Sequence, residues 1–483
     1  TFKHSGKSKA KLRLNSERCP CRLVYRGWRD WTIFENLFLH VRRMLDVLRD
    51  ELERRKERGL LRQLSVPPPN SADFSSNDYL GFAQSFELES AALEEYSKAR
   101  LRFAVSSPST CRLPFVGSSG SRLLTGNNEY VCELEEWLCT FHKAPAALVF
   151  NSGFDCNLGL FGSLCISSED VVVFDSDVHN SVREGLRLSR GSSVSFLHND
   201  LKSLRERLRE ARVSSERRRK SSQRGREGFL VVAIESIYSM DGSVAPLREI
   251  LGVCAEYGAL LVVDEAHSTG VVGVRGEGLV VAEGLENHPS LLARVHTFGK
   301  ALGAHGAVLL GPPVLCQFLL NYARPLVYST ALPLHSLCLV KAAYSLLSRE
   351  ALVLQRKLKR LTAEFQSQAV QTFQRLEAKR RHSDVPPPSP VLSDTQVQAI
   401  LVSGNKRVVW YAEKLRPKGF DVRPIRSPTV PKGTERLRVV LHAHNHEAEV
   451  RGLWEAVSEV WEEERQASTR SRHEKTFRHT ARL

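Results

Sequence analysis

A lysine between two glycines is the residue in this sequence best placed to act as a nucleophile. It stands in Thr297-Phe298-Gly299-Lys300-Ala301-Leu302-Gly303. Small and apolar neighbours desolvate an ammonium and lower its pKa, and an amine must be neutral to attack a carbonyl. The glycines let a bulky adduct approach the backbone. The plainer reading is a lysine in a turn. Val262-Val263-Asp264-Glu265-Ala266-His267 offers an acid at a strand end with a His three residues on. Asp264 can hold a protonated ring nitrogen by a charge-assisted bond, and His267 can address an oxygen on the same ring. The plainer reading is an Asp capping a helix beside a surface His. Glu265 reads as a neighbour rather than a participant.

Four further stretches carry usable groups. Asn151-Ser152-Gly153-Phe154-Asp155 follows a strand, and its Ser and Gly at a helix start expose backbone N–H groups that suit a phosphate. Asp177-Val178-His179-Asn180-Ser181 presents a flat imidazole that can stack on an aromatic ring. Ile237-Tyr238-Ser239-Met240-Asp241-Gly242 places a Ser beside a turn. Ile425-Arg426-Ser427-Pro428-Thr429-Val430-Pro431, followed by Gly433-Thr434-Glu435-Arg436-Leu437-Arg438, brings several Arg to a proline-stiffened loop. Arginine reads carboxylates through two parallel hydrogen bonds. Each stretch taken alone also fits ordinary turn or surface chemistry.

The elements that must position these groups alternate between strand and helix. Ala147–Phe150, Val171–Phe174, Phe229–Ile234 and Leu260–Val263 are short continuous apolar runs separated by helical stretches. That pattern predicts an α/β fold with a mostly parallel sheet buried on both faces. The polar residues fall just past the carboxyl ends of the strands, where open α/β sheets place ligands. Helices are expected over 33–64 and around 348–385, and 202–227 reads as a basic helix running into a Ser/Arg/Gln-rich loop, a surface excursion. The predicted division is 1–70 as leader and helix, 71–347 as a large domain, 348–465 as a smaller α/β domain and 466–483 as a basic tail.

The 483 residues are 42% hydrophobic and 25% charged, the balance of a globular protein. No apolar run is long enough for a spanning helix. Ten Cys without a CxxC pair or a Cys/His cluster give no metal site and no disulfide scaffold. The net charge of +15 is concentrated: residues 1–62 carry +9, 202–227 carry +7 and 467–483 carry +4, leaving the rest at −5. Basicity in tails and one insert, without a nucleic-acid motif, argues against nucleic-acid binding.

Taken in order, these stretches resemble a fold-type-I pyridoxal-phosphate enzyme of the α-oxoamine synthase family. Phe74-Ser75-Ser76-Asn77-Asp78-Tyr79-Leu80-Gly81 and Gly117-Ser118-Ser119-Gly120-Ser121-Arg122 belong to the same resemblance, which covers residues 52–450. It implies a seven-stranded large domain, a smaller C-terminal domain and pyridoxal 5'-phosphate as cofactor. It implies that Lys300 binds the cofactor covalently and acts as general base, that Asp264 keeps the ring nitrogen protonated and that His179 stacks on the ring. His267 and Ser239 would address the phenolic oxygen; Gly153, Phe154, Thr297 and Thr330 would surround the phosphate. Arg62, Asn77, His179, Arg426, Thr429 and Arg438 would handle substrate. The nearest branch condenses L-alanine with pimeloyl-CoA, and sister branches use glycine or serine with other acyl-CoA thioesters. A homodimer with sites at the subunit interface is implied. The family has a His where Val131 stands. A catalytically silent subunit would lack the lysine. The final Ala481-Arg482-Leu483 resembles a peroxisomal address, with cytoplasmic residence or an organellar leader in 1–31 as the rival expectations.

Overall fold

The apolar runs form the middle of a seven-stranded sheet. Its strands are β1 Ala146–Phe150, β2 Val171–Asp175, β3 Ser192–Phe196, β4 Leu230–Glu235, β5 Leu260–Asp264, β6 Leu291–Thr297 and β7 Ala307–Gly311. Their order is β1-β7-β6-β5-β4-β2-β3. β7 runs antiparallel to both its neighbours, and the remaining pairings are parallel. All six residues of β4 are buried. Strands covered on both faces need such unbroken apolar stretches, which is why they stood out in the sequence. The computed structural model describes residues 31–64, 66–106, 116–221, 226–381 and 385–480. The terminal tripeptide and residues 1–30, where a leader is one expectation, lie outside the described residues.

Helices cover both faces. α2 Gly153–Leu164 starts with Ser152 as its cap, whose hydroxyl accepts from the N–H of Asp155. α3 Asn180–Leu188 is capped by the His179 side chain, which accepts from the N–H of Ser181. α4 Leu201–Ser221 is the basic helix; it buries Leu204, Leu208 and Ala211 and carries Arg218, Arg219 and Lys220 in its last turn. Arg218 is tied back through Nη1 to the Ser168 carbonyl at 2.7 Å and to Ser192 Oγ at 2.6 Å.

A smaller antiparallel sheet follows: β8 Ser389–Val391, β9 Val397–Leu401, β10 Arg423–Ile425 and β11 Arg436–Val440, in the order β10-β11-β9-β8. It is accompanied by α6 Asn405–Leu415 and α7 Glu447–Thr480. The 46-residue helix α5 Leu334–Lys379 runs across position 348 and packs with both sheets' helices. Phe365 on α5 meets Trp454 on α7 at 5.3 Å between ring centroids, and both are buried. No helix among the described residues is long and apolar enough to cross a membrane.

Residues 1–64 and 65–483 are separate compact units. The first contains α1 Trp31–Glu57. The helix expected over 33–64 therefore stops seven residues early. The reason is Gly59, which takes φ +67°, while its N–H bonds to the Lys56 carbonyl and the N–H of Leu60 bonds to that of Arg55. A glycine in the left-handed region ends a helix by satisfying its last carbonyls in this way.

The indole N–H of Trp454 is buried without a partner. Trp454→Phe should therefore keep the ring packing with Phe365 at less than ~1.5 kcal/mol. Trp454→Ala should cost ~3–5 kcal/mol. Midpoints of denaturant unfolding, followed by fluorescence and circular dichroism, measure the difference.

Candidate active site

Three adjacent strands end in polar side chains at the same edge: Glu235 on β4, Asp264 on β5 and Thr297 on β6. Asp264 is buried, with Oδ1 accepting from the N–H of Ala266 at 3.0 Å and Oδ2 accepting from Asn157 Nδ2 at 2.7 Å. Asn157 lies on α2, one turn beyond Gly153, so its amide faces the sheet edge. The same Nδ2 reaches Ser181 Oγ at 3.0 Å. Ser181 Oγ in turn lies 2.8 Å from His179 Nδ1, which also accepts from the N–H of Ser181 at 3.2 Å. These bonds assign the His179 proton to Nε2. Burial holds the His179 pKa below the ordinary histidine value against the opposing pull of Asp264.

Lys300 follows β6 by three residues. Its Nζ lies 2.7 Å from His267 Nε2. His267 Nδ1 lies 2.5 Å from the Tyr79 hydroxyl, which donates to Asn77 Oδ1 at 3.2 Å. Asn77 Oδ1 also accepts from Arg438 Nη2 at 3.0 Å, and Arg438 Nε donates to the Ser239 carbonyl at 2.5 Å. The order of donors leaves His267 with its proton on Nδ1 and Nε2 free to accept from the lysine. Burial, reinforced by Lys300 and Arg438, keeps His267 well below the ordinary histidine pKa and hence neutral. Burial pushes the Tyr79 phenol up to about 12, so it remains a donor. Burial brings the Lys300 ammonium down to about 8, against the opposing pull of Asp264.

Gly153 opens α2 directly beside Thr297: a Cβ there would stand 3.4 Å from Thr297 Cβ and 3.5 Å from its Oγ1. The space at the helix start is thereby left to backbone N–H groups and one hydroxyl, a setting for an anion. Phe154 lies edge-on to His179 at 6.5 Å.

The structure thus joins Asn77, Ser239, His267, Lys300 and Arg438 in one chain of bonds, and His179 with Asp264 through Asn157 and Ser181. Thr330 is exposed, and its carbonyl accepts from Asn151 Nδ2 at 2.8 Å. Arg426 is half-buried and Thr429 exposed on the loop after β10, where the N–H of Thr429 bonds the Arg426 carbonyl. Arg62 is exposed in the first unit. Val131 is buried in a helix start, its N–H bonded to Asn128. Glu265 turns away, bonded to Ser268 Oγ and the N–H of Val280.

Sequence reading assigned no role to Tyr79, Asn157, Ser181 or Glu235. The usable signals were spacing: Asn157 is four residues past Gly153 on one helix face, and Glu235 closes an otherwise apolar strand.

These residues fit pyridoxal phosphate. Asp264 is a buried carboxylate that receives two neutral donors and, among the described residues, no ion-pair partner; such a group calls for a cation. A lysine whose ammonium is destabilised by burial, a flat imidazole and an anion-accepting helix start surround it.

Comparison with known proteins agrees. Residues 69–457 match the family described as Aminotransferase class I and II. The 8-amino-7-oxononanoate synthase of Emericella nidulans is 39% identical over 419 residues, covering 86% of this chain and 95% of that one. The enzyme of the same name from Geobacter sulfurreducens is 33% identical over 426 residues, covering 86% and 97%. Among solved structures, serine palmitoyltransferase from S. paucimobilis with a bound PLP–myriocin adduct superposes with a TM-score of 0.68 at 23% identity, covering 86% of this chain and 96% of that one. The 8-amino-7-oxononanoate synthase of Francisella tularensis gives 0.60 at 22%, covering 82% and 99%. The last two establish the fold; the first three, with the site already in place at the strand ends, establish that the chain belongs to the aminotransferase class I and II family.

Proposed function

We propose that this protein is a pyridoxal-phosphate-dependent acyltransferase that condenses L-alanine with pimeloyl-CoA, releasing CoA and carbon dioxide and yielding 8-amino-7-oxononanoate. The observation that carries this reading is the desolvated Lys300 amine, held 2.7 Å from a neutral His267 in a chain whose relatives bear that enzyme's name. Bound pyridoxal phosphate supplies an electron-withdrawing ring that accepts the electron pair left when the amino acid loses its α-proton or its carboxylate.

The protein's residues do the rest. Lys300 holds the cofactor and moves the α-proton, which needs the neutral amine form that burial favours. Asp264, fixed by Asn157 and the N–H of Ala266, keeps a proton on the ring nitrogen. His179 covers one ring face, its orientation set by Ser181. His267 and Ser239 address the phenolic oxygen. Gly153, Phe154 and Thr297 enclose the phosphate, with Thr330 approaching from a second subunit. Asn77 and Arg438, already bonded to each other, present a charge-assisted site for a substrate carboxylate. Arg426 and Thr429 take a further carboxylate of substrate or intermediate. A homodimer is part of the proposal: Phe86 and Val116, 84% and 81% exposed, line one groove with Leu93 and Tyr96 and offer apolar surface to a second copy.

The purified protein should show the visible absorption band of bound pyridoxal phosphate. L-Alanine should perturb that band more strongly than glycine or L-serine. With pimeloyl-CoA present, free CoA thiol should appear in step with the amino ketone. A stronger response to glycine or serine would move the protein to a sister branch. Lys300→Ala should lower turnover at least ~10³-fold.

Reactivity of the lysine itself reports its environment. Because burial brings its pKa down to about 8, the neutral amine dominates above that pH and the ammonium below it. Trapping of a small aldehyde on the cofactor-free protein, fixed with borohydride and located by mass spectrometry, should rise as pH increases through about 8 and level off. A lysine of ordinary pKa would keep gaining reactivity up to ~10.4.

A further inference from the structure

Glu235 is the one site carboxyl that the proposed chemistry leaves unused. It is 2% exposed, at the end of an apolar strand, and its Oε1 is buried without a hydrogen-bond partner. Glu235 and Asp264 are register partners on neighbouring parallel strands. Partnered residues in a sheet project on the same face with their Cβ atoms ~4.5–5.5 Å apart. The two carboxyl groups therefore stand side by side at the edge where Lys300 enters. Two carboxylates so placed in a dry site do not both ionise. Asp264 has the better claim to the charge, since both its oxygens accept N–H donors whereas Glu235 Oε1 accepts none. The backbone N–H groups of His179 and Ser239 face the Glu235 carboxyl from the two loops that flank the ring position.

We propose that Glu235 is a positioning residue, acting as an uncharged carboxylic acid that braces the His179 loop against the Ser239 loop and leaves Asp264 as the lone negative charge facing the ring nitrogen. The proposal rests on the reading of this site as a pyridoxal-phosphate site. Burial and the Asp264 carboxylate both hold the Glu235 pKa well above the ordinary glutamate value, in agreement with this geometry. An isoleucine or leucine would fill the position without any desolvation cost, so a glutamate here needs polar neighbours to serve. The loops it faces carry the groups that cover the ring and bond Arg438.

The acid and its amide isostere have the same shape and the same charge in this role. Glu235→Gln should therefore retain the parent's kcat and the parent's pH midpoint for the visible band. Glu235→Ala should bind cofactor but lose ~10²-fold in kcat, because the supporting brace is gone and the reacting groups drift. A Gln variant as impaired as the Ala variant would overturn the proposal. So would a displaced pH midpoint in the Gln variant, since removing a carboxylate from beside Lys300 lowers the pKa of the nitrogen it stabilises. An Ala variant with parental kcat would overturn it as well. If the Ala variant fails to fold, the pH midpoint of the Gln variant decides alone. A parent protein that shows no band with added cofactor marks the failure of the functional reading instead, so the two failures are separable.

Discussion

The site depends on one physical constraint: an amine must be taken out of water without the acid beside it holding it in the protonated form. Lys300 satisfies this by following a strand whose last residues are buried, on a loop where Phe298, Ala301 and Leu302 are buried around it. Desolvation lowers the ammonium pKa, whereas a nearby carboxylate raises it. Were Asp264 and Glu235 both ionised, their combined attraction would work against burial and favour the lysine's charged form. The balance holds because Asp264 is occupied by Asn157 and a backbone N–H, and because Glu235 is held neutral by burial and by Asp264 itself. His267 completes the balance: it meets the amine as a neutral acceptor, not as a second cation.

That arrangement requires the residues to come from many elements, and the sheet is what makes them converge. Parallel strands put their carboxyl ends on one edge. β4, β5 and β6 therefore deliver Glu235, Asp264 and Thr297 side by side, and the loops after β1 and β2 add Gly153 and His179. The helix starts do double duty. Ser152 and His179 are both caps, so the conformation that ends the loop also fixes a site group. In His179 the capping bond removes Nδ1 from solvent and points the proton to Nε2.

Much of this was legible in the sequence, for identifiable reasons. β2, β4 and β5 are unbroken apolar runs up to a terminal acid because both their faces are covered. Asp264 and Lys300 were visible because polar residues at the end of such runs, or between glycines, conflict with their surroundings. β3, Ser192-Ser193-Val194-Ser195-Phe196, was not, because on its sheet edge it carries three serines and alternates exposed with half-buried residues. β6 carries Arg294 and His296 in its buried middle, which breaks the apolar pattern. Arg294 is accommodated by the His142 carbonyl at 2.7 Å and His296 by Thr269 Oγ1 at 2.9 Å, partners distant in sequence. Asn157 and Glu235 escaped notice for the same reason: their meaning lies in which strand or helix stands next to them. The reversed direction of β7 leaves no mark in composition.

The remaining wall of the site comes from the far end of the chain, and its attachment explains how Asn77 and Arg438 meet. Residues 73–81 are laced to the last strand and the segment after it. The N–H of Phe74 bonds the Asp421 carbonyl, that of Val440 bonds Phe74, and that of Ala443 bonds Tyr79 at 2.7 Å. Ser76 Oγ meets His442 Nε2 at 3.0 Å, and Asn445 Nδ2 bonds the Asp73 carbonyl at 3.1 Å. Gly81 closes the stretch at φ +76°, with His444 Nδ1 only 3.1 Å from where a Cβ would sit. A side chain there would be strained by its backbone and crowded by that ring. Tyr79 and Asn77 are thereby fixed against β11, from which Arg438 projects back to Ser239 in the turn after β4. One guanidinium thus links the smaller sheet to that turn, so any shift of the smaller sheet moves the substrate-side cation relative to Lys300. The hydrogen-bonded chain from Arg438 through Asn77 and Tyr79 to His267 runs the same route, and makes the lysine's acceptor sensitive to what the arginine binds.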